Sequence, residues 1–341
     1  MAVRSELRPG AVSSGSKESP AIQVADLAKR YGSIDAVRGV SFAVKKGELF
    51  AFLGPNGAGK TTTINMLCTL ALPSSGGATV AGFDIAGQAR QVRRHIGLVF
   101  QNYTLDPQLT AEENLRFHAV LYRIPRHEVS ARMERVLNLV DLLDRKSSRV
   151  STFSGGMIRR LEIARALLHM PRVLFLDEPT VGLDPQTRSR MWQDVLHMRK
   201  EDVTIFLTTH YLDEAENADR IAIMDHGEIV ACDTPAALKA AVGADAVDLV
   251  TADDTVARDS LAQCGYDAHI IGGGVRVYVA DGERSVSGLV AGSDVEIQQL
   301  RVHRPTLDDV FMHFTGRDIR AEGGGLSAQE QQARTVAAGR H

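Results

Sequence analysis

Gly54-Pro-Asn-Gly-Ala-Gly-Lys60-Thr61 fits the pattern G-x-x-x-x-G-K-[ST], a spacing that leaves a chain few ways to fold. The glycines let consecutive backbone N–H groups converge on phosphate oxygens, which works only if a strand leads into the loop and a helix leaves it. Both flanks are present. Glu48 to Leu53 is an apolar strand run after a Lys46-Gly47 turn, and Lys60 to about Leu70 reads as a helix. Lys60 is then placed to reach the β- and γ-phosphates, and Thr61 to offer its hydroxyl to Mg²⁺. The alternative, a simple Gly-rich turn, does not account for the strand-loop-helix order.

Further residues gather at the same predicted sheet edge. Val173-Leu-Phe-Leu-Asp177-Glu178 is a buried strand ending in two carboxylates, at the end where a parallel sheet presents its loops to a ligand. Asp177 suits Mg²⁺, and Glu178 can orient or deprotonate an attacking water, a role distinct from holding metal. Without the loop, an Asp-Glu strand end would mean little. His210 follows the strand Val203 to Leu207, and Gln101 closes the apolar run Ile96 to Phe100. An imidazole there can contact a γ-phosphate; a neutral amide can ligate Mg²⁺ or hold the water. Tyr31, just after the first strand (Ile22 to Leu27), can stack on a base or simply pack. Ser154-Gly155-Gly156 reads as a capped helix start and a second anion site in one chain.

Along the chain, residues 1–19 are Ser-, Gly- and charge-rich and read as a disordered leader. Alternating strands follow at Ile22 to Leu27 and Ala36 to Val44. From Ala111 to about Leu143 apolar residues recur at three- and four-residue spacing, which predicts amphipathic helices within a helical subdomain of about 102–160. The α/β pattern resumes at Val173 and runs to a helix at Pro235 to Ala241, with a boundary near Val242. Beyond it the predicted order is strand 246–251, helix 255–264, strands 267–271 and 274–280, helix 284–291 and strand 295–302, a βαββαβ pattern of ferredoxin-like type. A helix capped by Thr306 follows to Phe314, and 317–341 reads as a flexible tail. Asp308 and Asp309 in its first turn are either solvated and favoured by the helix dipole or have a coupling role.

Composition narrows the function classes. With 44% hydrophobic residues in 341, the chain is globular, and a net charge of -3 gives no basic surplus for nucleic acid. Cys68, Cys232 and Cys264 lack the spacing of a zinc site or disulfide framework, and no run approaches the roughly 20 apolar residues of a membrane span.

Taken in order, these motifs resemble the ATP-binding cassette of ABC transporters over about residues 20–241. The resemblance implies an α/β P-loop NTPase fold: a RecA-like mixed sheet with antiparallel β and helical subdomains, followed by a small α+β C-terminal domain. It implies that Tyr31 stacks on adenine and that Gly54, Pro55, Asn56, Gly57, Ala58, Gly59, Lys60, Thr61 and Thr62 form the Walker A loop. Gln101 is then the Q-loop, and Ser154, Gly155 and Gly156 the signature. Asp177 and Glu178 match Walker B with its catalytic glutamate, Asp184 the D-loop and His210 the switch histidine. Phe153, Met157 and Ile158 depart from the commonest signature, and Met157 cannot donate a hydrogen bond. The stretch from Arg304 to Gly316, with Phe153-Ser-Gly-Gly-Met157, resembles the drug-exporter branch similar to daunorubicin-resistance ATPases.

What this resemblance implies is an ATPase using ATP and Mg²⁺ and working as a head-to-tail cassette dimer. Its expected partner is a separate, ABC-2-like integral membrane permease, with no nucleic acid, at the cytoplasmic face of a bacterial cell membrane. The expected cargo is a drug, antibiotic or lipid-like compound. An importer ATPase and a soluble cassette ATPase acting outside transport are the alternatives; only 94 positions separate Lys60 from Ser154, too few for a coiled-coil arm.

Overall fold

A computed structural model describes residues 19–199, 203–242 and 245–316. The leader at 1–18 and the tail at 317–341 lie outside them.

The first two strands, β1 (Ile22–Tyr31) and β2 (Ile34–Val44), are antiparallel partners joined by a tight turn. Tyr31 is thus the last residue of β1 and not the residue after it. The strand outruns its alternating pattern because register shifts between Val24 and Arg30 let the irregular stretch keep pairing. Next comes β3 (Leu49–Leu53), buried on both faces along its whole length, as its unbroken apolar run requires.

Helix α1 (Lys60–Leu67) follows the Gly-rich loop and stops short of Leu70. Thr69 turns left-handed (φ 62), and the Leu70 and Ala71 amides fold back onto Asn65 O. The next stretch holds β4 (Ser75–Val80), β5 (Phe83–Asp84) and α2 (Ala89–His95), none expected from the sequence. The first two complete an antiparallel sheet of order β2-β1-β4-β5. Then come β6 (Ile96–Val99), α3 (Ala111–Leu121), α4 (Arg126–Leu139) and α5 (Gly155–Leu167). A complete capping box at Thr110 and Glu113 starts α3.

Four more pieces build the larger sheet: β7 (Val173–Asp177), α6 (Pro185–Arg199), β8 (Thr204–Thr209) and α7 (Leu212–Ala215). The hairpin β9 (Arg220–Asp225) and β10 (Glu228–Asp233) precedes α8 (Pro235–Val242). The six-stranded order is β10-β9-β3-β8-β7-β6, parallel except for β9 with β10. Central β3 separates two cores. Phe50 and Phe52 join Phe42 and Phe206 on one side, with ring centroids 5.4–6.4 Å apart, while Leu49, Ala51 and Leu53 face the helices.

The last part runs β11 (Asp245–Thr251), α9 (Asp254–Gln263), β12 (Asp267–Ile271), β13 (Gly274–Val279), α10 (Gly282–Gly292), β14 (Ile297–His303) and α11 (Leu307–Thr315). Its sheet is antiparallel throughout, of order β12-β13-β11-β14. Thr306 caps α11, whose Leu307, Val310 and Phe311 join the same buried cluster as Leu238 and Val242 of α8. Asp309 is not solvated: it is fully buried, bonded to Thr306 and paired with Arg276.

Candidate functional site

Because β3, β6, β7 and β8 run in parallel, their C-terminal ends deliver Gly54, Gln101, Asp177 with Glu178, and His210 to one edge of the sheet. The loop from Gly54 to Gly59 is held from both sides. Gly54 N–H donates to Thr209 O (3.3 Å), and Gly227 N–H donates to Ala58 O (3.0 Å). Gly59 sits at φ 107, and a Cβ there would come within 2.5 Å of Ala36 O, so no other residue fits without displacing β2. Gly59 caps α1 without any side-chain bond, and no acidic residue occupies the first turn. A helix start of this kind favours an anion.

Lys60 is 4% exposed, and its Nζ lies 2.6 Å from Gly54 O, 3.0 Å from Pro55 O and 3.4 Å from Glu178 Oε1. Asp177 Oδ1 accepts from Thr208 Oγ1 (2.6 Å) and Thr61 Oγ1 (3.3 Å). Burial and then the neighbouring Glu178 charge raise the Asp177 carboxyl above its ordinary range, and the Thr208 bond opposes them.

Glu178 is where the predicted residues meet. Besides Lys60, its carboxylate faces His210 Nδ1 (3.4 Å) and accepts from Gln101 Nε2 (3.4 Å). Burial pushes this carboxyl up, but His210 and Lys60 outweigh it and hold the group below its usual value, so it is ionised at neutral pH. Its backbone is left-handed at φ 45, a conformation that costs a non-glycine residue about 1 kcal/mol or more. Two anchors hold it there. Glu178 N–H donates toward Thr208, and Glu178 O accepts from Arg159 Nη2 (3.1 Å).

The second predicted anion site is a true helix start. Ser154 caps α5, its Oγ accepting from Met157 N–H (3.3 Å), and Met157 packs its thioether into the core. Gly156 lies against Thr187, where a Cβ would come within 2.1 Å of the threonine methyl. Asp184 caps α6, accepting from the Gln186 and Thr187 amides and the Thr187 hydroxyl. So Ser154, Gly155, Gly156 and Asp184 stand together, at the starts of α5 and α6. Tyr31 is half exposed with Lys29 Nζ 4.8 Å over its ring.

Four residues that the sequence reading did not single out support these groups. Arg159 donates to Phe100 O, Asp177 O, Glu178 O and Pro179 O. Glu162 is bonded to the segment after Gln101. Glu214 accepts from Thr180 and from Thr209 (2.6 Å), which fixes the turn into His210, and Thr208 Oγ1 holds the Asp177 carboxylate and the Glu178 amide. For Arg159 and Glu162 the signal was charge at helical spacing inside an otherwise apolar stretch of α5; Thr208 and Glu214 carried none.

Such an edge holds a nucleoside triphosphate: anion-binding N–H groups, a lysine, a hydroxyl beside a carboxylate, and a second carboxylate with its own partners. The sequence pattern of the ABC transporter family matches residues 37–181. The linearmycin resistance ATP-binding protein LnrL of Bacillus subtilis is 38% identical over 88% of this chain and 99% of its own length. The daunorubicin resistance ATP-binding protein DrrA3 of Streptomyces coeruleorubidus is 38% identical over 89% of this chain and 98% of its own. Among solved structures, the dimeric ATP-binding cassette MJ0796 in a post-hydrolysis state with ADP and Pi superposes with a TM-score of 0.56 at 28% identity, covering 62% of this chain and 98% of that one. The chain belongs to the ABC transporter family as an ATP-binding subunit. It binds ATP and couples its hydrolysis to transport. Among the described residues no helix is long and apolar enough to cross a membrane.

Proposed function

We propose that this protein energises export of a drug, antibiotic or lipid-like compound through a separate integral membrane subunit of ABC-2 type, at the cytoplasmic face of a bacterial membrane. The names of the resistance relatives, matched nearly end to end, support the direction; neither the importer reading nor the soluble one has a comparable observation behind it. The observation that carries the chemistry is the convergence of Lys60, Gln101 and His210 on the ionised, strained Glu178.

In this reading the amides from Gly57 to Thr62 and the Lys60 ammonium cradle the β- and γ-phosphates, with Asn56, Ala58, Pro55 and Gly54 shaping the loop. Tyr31 stacks on adenine. Mg²⁺ fits the donors here: among the described residues no three His, Cys, Asp or Glu side chains form a metal cluster, and Mg²⁺ at nucleotides takes one or two protein oxygens with phosphate. Thr61 and Asp177 would hold it, with the Gln101 amide oxygen, and it would neutralise charge on the phosphates. Glu178 takes the proton from the attacking water, and His210 contacts the γ-phosphate and keeps Glu178 ionised. The Ser154 to Gly156 turn and Asp184 serve ATP bound by a second copy, so hydrolysis needs a head-to-tail dimer.

The test compares wild type with Glu178→Gln for ATP hydrolysis and ATP-dependent dimerisation. An inactive dimer that persists in ATP is expected; an active monomer would sink the mechanism. Purifying the trapped variant identifies the membrane partner; measuring movement of a labelled amphiphilic drug into inverted vesicles that hold this partner with the wild-type chain, against the inactive variant as control, tests direction.

A further inference from the structure

Gln101 is carried by the irregular stretch between β6 and α3, so something else must set its position. Helix α5 does this from one side chain in each successive turn. Glu162 is fully buried, and its carboxylate accepts from Thr104 N–H (2.5 Å), Thr104 Oγ1 (2.9 Å) and Leu105 N–H (3.1 Å), just after Gln101. Arg165 pairs with Glu162 (2.7 Å) and donates to Leu98 O (3.1 Å), just before Gln101. Arg159 reaches Phe100 O and, on the other side, Asp177 O (3.3 Å) and Glu178 O (3.1 Å). The spacing i, i+3, i+6 puts the three charges along one helix face.

The chain is thereby pinned at 98, 100, 104 and 105, leaving only residues 101–103 between anchors. The Tyr103 hydroxyl in that span meets Gly155 O (3.4 Å) at the start of the same helix. The acidic group fits its place: two backbone N–H donors and a hydroxyl converge with a guanidinium on one carboxylate, which a neutral side chain cannot satisfy as fully.

We propose that Glu162 is a positioning residue that, with Arg165, locks the Gln101 segment to α5, while Arg159 ties the same helix to the backbone of Glu178, so that α5 sets where Gln101 stands relative to Glu178. This rests on the ATPase reading above.

The experiment uses the full chain with Glu162→Gln, and Thr104→Val as the milder change. Hydrogen exchange of the segment around Thr104 and Leu105 should rise at least about tenfold in Glu162→Gln, while β7 stays as protected as in wild type. The kcat for ATP should fall about tenfold to a hundredfold with KM within about twofold. In a Gln101→Ala background the same change should cost little more. Unchanged exchange at 104–105, or a kcat loss that simply multiplies with that of Gln101→Ala, would overturn the proposal. Exchange needs no turnover, so it decides the clamp even if the ATPase mechanism itself fails. Should Glu162→Gln not fold, Thr104→Val must show the same non-multiplying loss, or the proposal falls.

Discussion

Around Glu178 and around Arg276 the chain buries charged side chains, and it builds the two clusters in opposite ways. Arg276 forms two parallel bonds to Asp248 (2.5 and 2.7 Å) and a third to Asp309, which also accepts from Tyr278 and from the Thr306 amide (2.6 Å). Its atoms come from strands and a capped helix. Glu178 takes its partners from the first turn of α1 and from two loops after strands, at 3.4 Å each, on a strained backbone. Short, closed, bidentate pairing fastens a structure; long contacts on loops can be traded for substrate groups when these arrive.

The largest effect should come from Glu178→Gln, which keeps the shape and removes the proposed base: phosphate release is expected to fall about 10²- to 10⁴-fold. Near-normal turnover would erase the contrast. Next is Arg276→Met, which strands Asp309 in the interior and should cost about 3–5 kcal/mol. Thermal melting should show the loss, while ATP hydrolysis by the folded protein at low temperature stays within about twofold of wild type. A collapse of activity with normal melting would move Arg276 into the catalytic machinery. His210→Ala should lower kcat about a hundredfold and leave ATP affinity nearly unchanged; filter binding and steady-state kinetics separate these.

The smallest effect concerns Asp194 on α6. Burial pushes its carboxyl up to about 6 from 3.8, so the folded chain holds a proton that the unfolded chain gives up. The ionised group therefore weakens the fold above about pH 6 and not below about pH 4. Asp194→Asn should raise stability at pH 8 by about 1 kcal/mol, allowing for partial exposure, and the gain should fade by pH 4.5. A gain independent of pH would mean that packing, not ionisation, is responsible.

The loop at Gly54 to Thr61, the strand end at Asp177 and the cap at Ser154 were legible because each is a local device with its own spacing. So was the C-terminal order of strands and helices, where short alternating runs are cleanly separated by Gly- and Asp-rich turns. The strand β4 was not: Ser75-Gly-Gly-Ala carries little strand preference and is extended because β1 pairs with it. The hairpin of β9 and β10 has an apolar run and a His226-Gly227 turn, signals present but not singled out. Arg159 and Glu162 could not be assigned their partners, nor Glu214 its bond to Thr180, since those lie far off in sequence and only the fold brings them near. For the same reason Asp309 could not be told from a solvated helix start.

The clasp on the Gly-rich loop also bears on how the protein is made. The loop lies early in the chain, yet its neighbours are Thr209, Met224 and Gly227, and β3 beneath it pairs only with β8 and β9. Contacts so distant along the chain form late and slowly. During synthesis the loop therefore leaves the ribosome well before the segments that shape it, and a nascent chain ending before the β9–β10 hairpin carries the whole loop sequence without Met224 and Gly227 beside it.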